Sequence, residues 1–189
     1  QVCCDPQLVP LDAAKKVNAS AKLDQLMTLL PEMLAEGRRI LLFSQVTSML
    51  TLIEAELKKR KVPWVKLTGQ SQRRDAIIEQ FTSGQVPLFL ISLKAGGFGL
   101  NLTEADYVFL LDPWWNPASE AQAVDRAHRI GQTKQVMVYR MVATNTIEEK
   151  VMALKEKKAA LVSAVIDDDA FFSESLSADE SIRKAYLGF

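Results

Sequence analysis

Histidine and cysteine are nearly absent from this sequence, which limits the metal and redox chemistry open to the protein. Its 189 residues contain one histidine, His128, and two adjacent cysteines, Cys3 and Cys4. Adjacent cysteines form neither a disulfide framework nor a zinc site, so we expect reduced thiols in an intracellular protein. One histidine excludes metal sites built from several histidines and leaves only His128 for Ser-His-Asp chemistry. We therefore predict no metal site in this chain.

Long apolar runs and phosphate-binding loops are also absent. No stretch of about 18 apolar residues occurs, and the N-terminus lacks the basic-then-apolar pattern of a signal peptide, so we expect neither a membrane span nor secretion. The sequence contains no G-x-x-x-x-G-K-[ST] loop and no G-x-G-x-x-G fingerprint. These two absences argue against a phosphate loop and against a Rossmann-type dinucleotide site in this chain.

Net charge is absent as well, but the charges are unevenly distributed. Residues 58–74 contain seven basic residues and no acidic one, whereas residues 163–182 contain six acidic residues and no basic one. Outside the acidic segment, the chain has 23 basic residues against 17 acidic ones. Charge runs are usually solvated faces, but this surplus would also suit a surface that contacts phosphates.

What the sequence does contain is an alternation of apolar strands and amphipathic helices. Strands are predicted at 39–43, 63–67, 88–91, 107–111 and 136–142. Helical spacing occupies 20–36, 46–60, 71–82, 116–130 and 146 to about 165. Strands that alternate with helices predict an α/β domain with a mostly parallel sheet, in which ligands bind at the carboxyl ends of the strands.

Local signals mark several helix ends. Ser20 is a candidate N-cap and Gly37 a candidate stop for the first helix, in which Pro31 would introduce a kink. Asn116 and Pro117 suit the cap and the first position of another helix. The sequence Thr146-Ile147-Glu148-Glu149 has the form of a capping box.

Two loops that follow predicted strands have unusual composition. The segment 92–102 contains three glycines within four residues and Lys94, so its backbone can approach a phosphate closely, although such a turn can also be purely structural. The segment 112–117 contains Trp114 and Trp115. Their rings can cover the core, or an exposed ring can stack on a base or enter a groove of nucleic acid.

A third segment, 122–132, is predicted to be helical. On one continuous helix, Gln122, Arg126 and Arg129 share a face, and the two guanidinium groups can point at a single anion. Arginine also stabilises the charge that develops during phosphoryl transfer. The alternative is a surface helix with ion pairs, such as Asp125 with Arg129.

In their order and wording, these segments resemble the second motor lobe of the Swi/Snf-type chromatin-remodelling ATPases, a branch of the superfamily-two helicases. Residues 40–45 resemble motif IV of that family, and 92–116, with A-G-G-x-G-x-N-L and W-N-P, resembles motif V and its extension. Residues 122–132 match Q-A-x-D-R-x-H-R-x-G-Q, the family's motif VI, and the helix from Ile147 resembles its bracing helix. The resemblance covers 20 to about 166, and its short spacing is more similar to bacterial members.

The resemblance implies a RecA-like three-layer sandwich with a mostly parallel central sheet and a C-terminal bracing helix. It divides the chain into a lead-in segment (1–19), the RecA-like lobe (20–145), the bracing helix (146–166) and an acidic tail (167–189). Family members bind ATP and duplex DNA between two such lobes. The first lobe carries the phosphate loop, the magnesium-binding acidic motif and the water-orienting glutamate, which this sequence lacks.

We therefore expect one lobe of an ATP-driven double-stranded-DNA translocase, inactive as an isolated chain. ATP and Mg²⁺ would be bound mainly by an N-terminal lobe of the same parent protein. Besides that lobe, the expected partners are double-stranded DNA and a protein cargo on the DNA. The expected location is the nucleoid in the cytoplasm of a bacterium, or the nucleus of a eukaryote.

Candidate site residues carry over from the matched motifs. Arg126 and Arg129 would be arginine fingers supported by Gln122, and Gly97 and Gly99 would line the nucleotide side of the cleft. The residues implied to lie near DNA are Ser44, Gln45, Thr68, Gly69, Lys94, Asn101 and Trp115, with Trp115 as the groove contact. This sequence departs from the family at two places. Lys94 stands where arginine is common, which keeps the positive charge but loses the planar guanidinium that can donate two parallel hydrogen bonds. Thr68-Gly69-Gln70 replaces a D-G-S-like sequence.

Two other functions remain open from the sequence. A RecA-like module could bind DNA or a protein without any catalytic role, and the presence of an adjacent first lobe in the parent gene would distinguish the two. A Rossmann-like enzyme could use the glycine-rich turn for a dinucleotide, against which the absence of G-x-G-x-x-G argues.

Overall fold

A computed structural model describes most of the chain. The described residues are 3, 5–8, 20–92, 95, 100–113, 117–127 and 135–157. Contacts divide the chain into two compact units, Gln1–Glu149 and Lys150–Phe189. The fold and the candidate site lie in the first unit, and the predicted bounds of the bracing helix and acidic tail stay predictions.

Helices and strands alternate along the described chain as the apolar pattern predicts. The strands are β1 (Ile40–Ser44), β2 (Trp64–Leu67), β3 (Leu88–Ser92), β4 (Tyr107–Leu110) and β5 (Met137–Arg140). The helices are α1 (Ala21–Ala35), α2 (Thr47–Lys59), α3 (Arg74–Thr82), α4 (Pro117–Val124) and α5 (147–157). A short 3-10 turn, Pro6–Leu8, precedes them.

The described strands form a five-stranded sheet in the order β2-β3-β1-β4-β5. Every pairing in it is parallel, and Leu42 in the central strand aligns with Leu90 of β3 and Phe109 of β4. Because the strands are parallel, all their carboxyl ends lie along one edge of the sheet. The α/β architecture expected from the sequence is therefore confirmed.

The sheet lies between two helical layers. Alternate residues of β1 separate the two cores, with Ile40 and Leu42 on one face and Leu41 and Phe43 on the other. Side chains of α1 and α2 pack on the first face, and side chains of α3 and α4 pack on the second. This three-layer arrangement explains why the central strands read as continuous apolar runs, since both of their faces are buried.

Helix ends differ from the sequence expectations in two details. Ser20 occupies the N-cap position of α1, but its side chain makes no capping hydrogen bond. In the predicted capping box, the Thr146 hydroxyl accepts a hydrogen bond from the Glu148 amide at 3.2 Å, whereas the Glu149 carboxylate accepts one from the Asn145 amide at 2.9 Å. In a regular capping box, the Glu149 carboxylate would accept a hydrogen bond from the Thr146 amide instead.

Candidate nucleic-acid and nucleotide interface

A groove of about 590 Å³ opens at the carboxyl ends of β1, β2 and β3. It contains three of the residues predicted to lie near DNA, which are Gln45, Thr68 and Gly69. The residues that complete its lining are Thr47, Ser48, Thr51, Lys66, Gln70 and Ser92. The fold therefore brings together side chains that come from three separate strand-to-helix connections.

The chemistry of this groove suits anionic oxygens. Helix α2 begins beside it at Thr47, so the positive end of the helix dipole lies at the groove wall. Ser92 is 2% exposed, and its hydroxyl oxygen has no hydrogen-bond partner in the described structure. The charge of Lys66 is partly neutralised, because its ammonium group lies 2.5 Å from the Glu54 carboxylate. Hydroxyl and amide donors therefore dominate the groove, as is common in contacts to DNA phosphates.

Ser44, another residue predicted to lie near DNA, is fully buried at the end of β1. Its hydroxyl donates to the Asp112 carboxylate at 2.9 Å, and the amide of Gln45 donates to the same oxygen at 2.6 Å. Within this lobe Ser44 therefore positions the β1–α2 connection behind the groove. A direct contact of Ser44 with DNA stays a prediction.

Asp112 is the residue that sequence reasoning missed in this region. It is 6% exposed and lies two residues beyond the end of β4, where it holds the neighbouring connection through Ser44 and Gln45. A carboxylate directly after a buried strand, next to the two tryptophans, was the available signal. Its partners could not be read from the sequence, because they lie on a different strand.

The glycine-rich loop has one described anchor. Ala95 is buried, its amide donates to the Ser92 carbonyl at 3.0 Å, and its carbonyl accepts a hydrogen bond from the Arg74 guanidinium at 2.7 Å. Arg74 on α3 thus holds the loop in which Lys94, Gly97 and Gly99 were predicted to act. These three residues lie outside the described part of the chain.

The predicted helix over 116–130 is wrong in its described second half. Helix α4 ends at Val124, and the following amides of Arg126 and Ala127 donate to carbonyls three residues back. The Arg126 carbonyl, which a continuing helix would use internally, accepts a hydrogen bond from the Leu102 amide at 2.9 Å. This tertiary bond places the end of the glycine-rich segment, with the exposed Asn101, next to the turn at Arg126.

Gln122 and Arg126 therefore do not lie on one continuous helix, as the single-face prediction for motif VI requires. Gln122 is exposed on α4, whereas Arg126 is 5% exposed and lies in the turn after the helix. Arg129 and Trp115 lie outside the described residues. The roles of these four residues stay predictions.

No group of three or more histidine, cysteine, aspartate or glutamate residues in the described chain could hold a metal ion. None of the described helices is long and apolar enough to cross a lipid bilayer.

Residues 21–131 match the helicase conserved C-terminal domain. The chain belongs to this family. The domain match covers α1 to the segment after α4, so it includes the groove, the Asp112 contacts and the turn at Arg126.

Similar proteins place this helicase C-terminal domain among the Swi/Snf-type ATPases. It is 46% identical to the DNA repair protein RAD5 of Cryptococcus neoformans over 88% of this chain, and 47% identical to the chromatin-remodeling ATPase INO80 of the same species over 78% of this chain. It spans only 14% and 8% of the lengths of those two proteins. The resemblance read from the motifs is therefore confirmed, and the chain corresponds to a small part of these relatives.

A solved structure has the same architecture. The helicase C-terminal domain superposes on the crystal structure of the C-terminal part of the Fun30 ATPase domain with a TM-score of 0.67 and 37% sequence identity. The match covers 71% of this chain and 45% of that one, and it confirms the RecA-like fold. An ATP-dependent helicase of Mycoplasma genitalium is 40% identical over 87% of this chain. Since fungal and bacterial proteins are both similar to the chain, the comparisons do not support the expected bacterial origin.

Proposed function

We propose that this chain is the C-terminal lobe of an ATP-driven double-stranded-DNA translocase of the chromatin-remodeller type. The observation that supports this proposal is the groove at the carboxyl ends of β1–β3, which Gln45, Thr68 and Gly69 line together with Ser92. These side chains come from the segments in which the family resemblance predicts DNA contacts.

The groove would hold one stretch of the DNA sugar–phosphate backbone. Exposed hydroxyl groups at Thr47 and Ser48 and the helix N-terminus offer donors to phosphate oxygens, and Gly69 leaves room for close approach of the backbone. Contacts of this kind do not read the bases, so binding would be independent of sequence and sensitive to salt. Lys94, Asn101 and Trp115 would extend the contact, with Trp115 entering a groove of the duplex.

Nucleotide hydrolysis would need a second lobe. Arg129 and Arg126 would act as arginine fingers, Gln122 would support them, and Gly97 and Gly99 would line the nucleotide side of the cleft. ATP is the substrate, and Mg²⁺ would be held by the N-terminal lobe, since the described residues offer it no ligand cluster. An arginine finger supplied from a separate part of a protein contributes about 10³–10⁵ in rate, so closure of the lobes would switch hydrolysis on.

Movement along DNA follows from this division of the site. If both lobes hold the duplex, closure on ATP and reopening after hydrolysis shift one lobe relative to the other without separating the strands. The protein would then act on chromosomal DNA, in the nucleus of a eukaryote or in the bacterial nucleoid, and displace a protein bound there.

Duplex binding tests the groove directly. We expect the 189-residue chain to bind a labelled random-sequence duplex, as measured by fluorescence anisotropy. Gln45→Ala should weaken binding about fivefold, because one hydrogen bond is worth about 1 kcal/mol. Gly69→Ala should weaken it too, since the added methyl group contacts nothing within the lobe and projects into open space at the groove.

Gln85→Ala is the matched control for this experiment. Gln85 is an exposed loop glutamine like Gln45, but it precedes β3 and so lies at the opposite edge of the sheet. It should leave the affinity unchanged. Failure of the wild-type chain to bind duplex DNA, or equal loss in the control and groove variants, would rule out the proposed contact.

A further inference from the structure

A buried ion pair connects the first helix with the start of the last one. Lys22 on α1 is 4% exposed and Glu148 is 6% exposed, and the Lys22 ammonium nitrogen lies 2.7 Å and 2.6 Å from the two Glu148 carboxylate oxygens. The same ammonium group donates to the carbonyl of Leu111 at 2.6 Å. Glu148 also accepts a hydrogen bond from the Ala143 amide at 2.8 Å. These four groups form a connected polar network between α1, the residue after β4 and the start of α5.

Stability alone does not explain this network. Taking two opposite charges out of water is costly, and apolar residues of similar volume often replace a buried ion pair with no loss of stability. Lys22 lines a cavity of about 490 Å³, whose wall also includes the apolar residues Leu29 and Phe109. The directed bond to the Leu111 carbonyl is what an apolar side chain could not supply.

The Leu111 carbonyl lies next to the segment that serves the groove. The Leu111 amide donates to the Phe43 carbonyl at 3.0 Å, so residue 111 still belongs to the sheet ladder. The next residue, Asp112, accepts hydrogen bonds from the Ser44 hydroxyl and from the amide of Gln45, which lines the groove. Lys22 thus fixes the last peptide before Asp112 from the helix side, and Asp112 fixes the β1–α2 connection in turn. In the sequence, Asp112 leads within three residues to Trp115.

We propose that Lys22 is a positioning residue for DNA binding: through the Leu111 carbonyl it sets the place of Asp112, and so of the β1–α2 connection that Asp112 holds beside the groove. The inference rests on the proposed DNA contact of this lobe, but its first readout does not depend on DNA. It assigns to α1 a role at the DNA-facing edge, although α1 carries no motif that suggests one.

Three variants of the 189-residue chain separate positioning from stability. Lys22→Met removes both bonds of the ammonium group. Glu148→Gln removes the ion pair but leaves the Lys22–Leu111 bond possible and keeps an acceptor for the Ala143 amide. The double variant Lys22→Met/Glu148→Met replaces the pair with apolar side chains, which should return the urea midpoint of unfolding toward the wild-type value.

The first measurement is tryptophan emission in a Trp64→Phe background, where only Trp114 and Trp115 emit. The second is duplex affinity by anisotropy. Lys22→Met and the apolar double variant should both shift the emission and weaken DNA binding about fivefold, the size of one lost hydrogen bond at the groove. Glu148→Gln should lower stability yet keep emission and affinity near wild type. Lys59→Met, which breaks the exposed Lys59–Glu56 pair, should change neither.

Each other result counts against the proposal. Recovery of emission and affinity together with stability in the double variant would show that the pair is only structural. Equal effects of Glu148→Gln and Lys22→Met would show that the Leu111 bond is not decisive. If the wild-type chain binds no DNA, the proposed function fails, while the tryptophan emission of the same variants still decides whether the network positions the segment.

Discussion

At the residue scale, Arg60 supplies a hydrogen bond that Pro31 cannot make within α1. Pro31 lies inside α1 and has no amide hydrogen, so it cannot donate to the carbonyl of Met27 one turn earlier. The Arg60 guanidinium donates to that carbonyl at 2.9 Å. The helix consequently runs through the proline to Ala35.

This contact predicts a coupling between two positions far apart in sequence. Arg60→Ala should lower the free energy of unfolding by about 1–3 kcal/mol, because the Met27 carbonyl loses its charged donor. In a Pro31→Ala background, the new amide supplies the donor and the same substitution should cost markedly less. Urea denaturation of the double-mutant cycle measures the coupling, with exposed Lys58→Ala as control. Strictly additive effects would contradict the explanation.

At the element scale, two helices end in the same hydrogen-bonded pattern with different residues. After α1, the Gly37 amide donates to the Leu34 carbonyl and the Arg38 amide to the Met33 carbonyl. Gly37 has a positive φ of 74°. After α2, the Lys61 amide donates to the Lys58 carbonyl and the Val62 amide to the Leu57 carbonyl. Lys61 has a φ of 56°. Both are Schellman motifs, but only one has the glycine that this left-handed position favours.

Lys61→Gly should therefore stabilise the protein. The left-handed conformation costs a residue with a side chain about 1–2 kcal/mol, partly offset by the larger freedom of glycine in the unfolded chain. We expect a gain of about 0.5–1 kcal/mol in the free energy of unfolding. Gly37→Ala, the reciprocal control at the end of α1, should lower it by a similar amount. A destabilised Lys61→Gly variant in urea denaturation would show that the lysine side chain contributes more than its strain costs.

At the scale of the whole molecule, the helicase C-terminal domain is one part of a composite machine in the proposed function. It spans 14% and 8% of two chromatin and repair relatives, and it has no phosphate-loop motif of its own. The proposed DNA groove follows β1–β3, and in the sequence Arg129 follows β4 and α4, so one lobe would connect hydrolysis to movement.

We predict that the 189-residue chain hydrolyses no ATP, with or without duplex DNA. In a parent protein that includes the first lobe, Arg129→Ala should abolish DNA-stimulated turnover and leave duplex affinity within about twofold, because a finger stabilises only the transition state. Arg38→Ala, at an exposed arginine at the amino end of the sheet, is the matched control. A coupled phosphate-release assay measures turnover. A wild-type rate in Arg129→Ala would remove the finger role of Arg129.

The sequence by itself determined the order of the elements, the α/β class and the family. The apolar period within each segment is local, so the runs at Ile40–Ser44 and Leu88–Ser92 and the helical spacing of α2 could be read directly. Because parallel strands end at one edge, the location of the groove followed as well.

Tertiary structure decided which side chains face that edge and where the helices stop. The buried hydroxyl of Ser44 donates to Asp112, 68 residues away, and Lys22 pairs with Glu148 across 126 residues. Helix α4 stops at Val124, and the Leu102 amide takes the Arg126 carbonyl that a longer helix would use internally. Periodicity reports only neighbours within a few turns, whereas each of these outcomes depends on a partner that the folded chain alone brings within hydrogen-bonding distance.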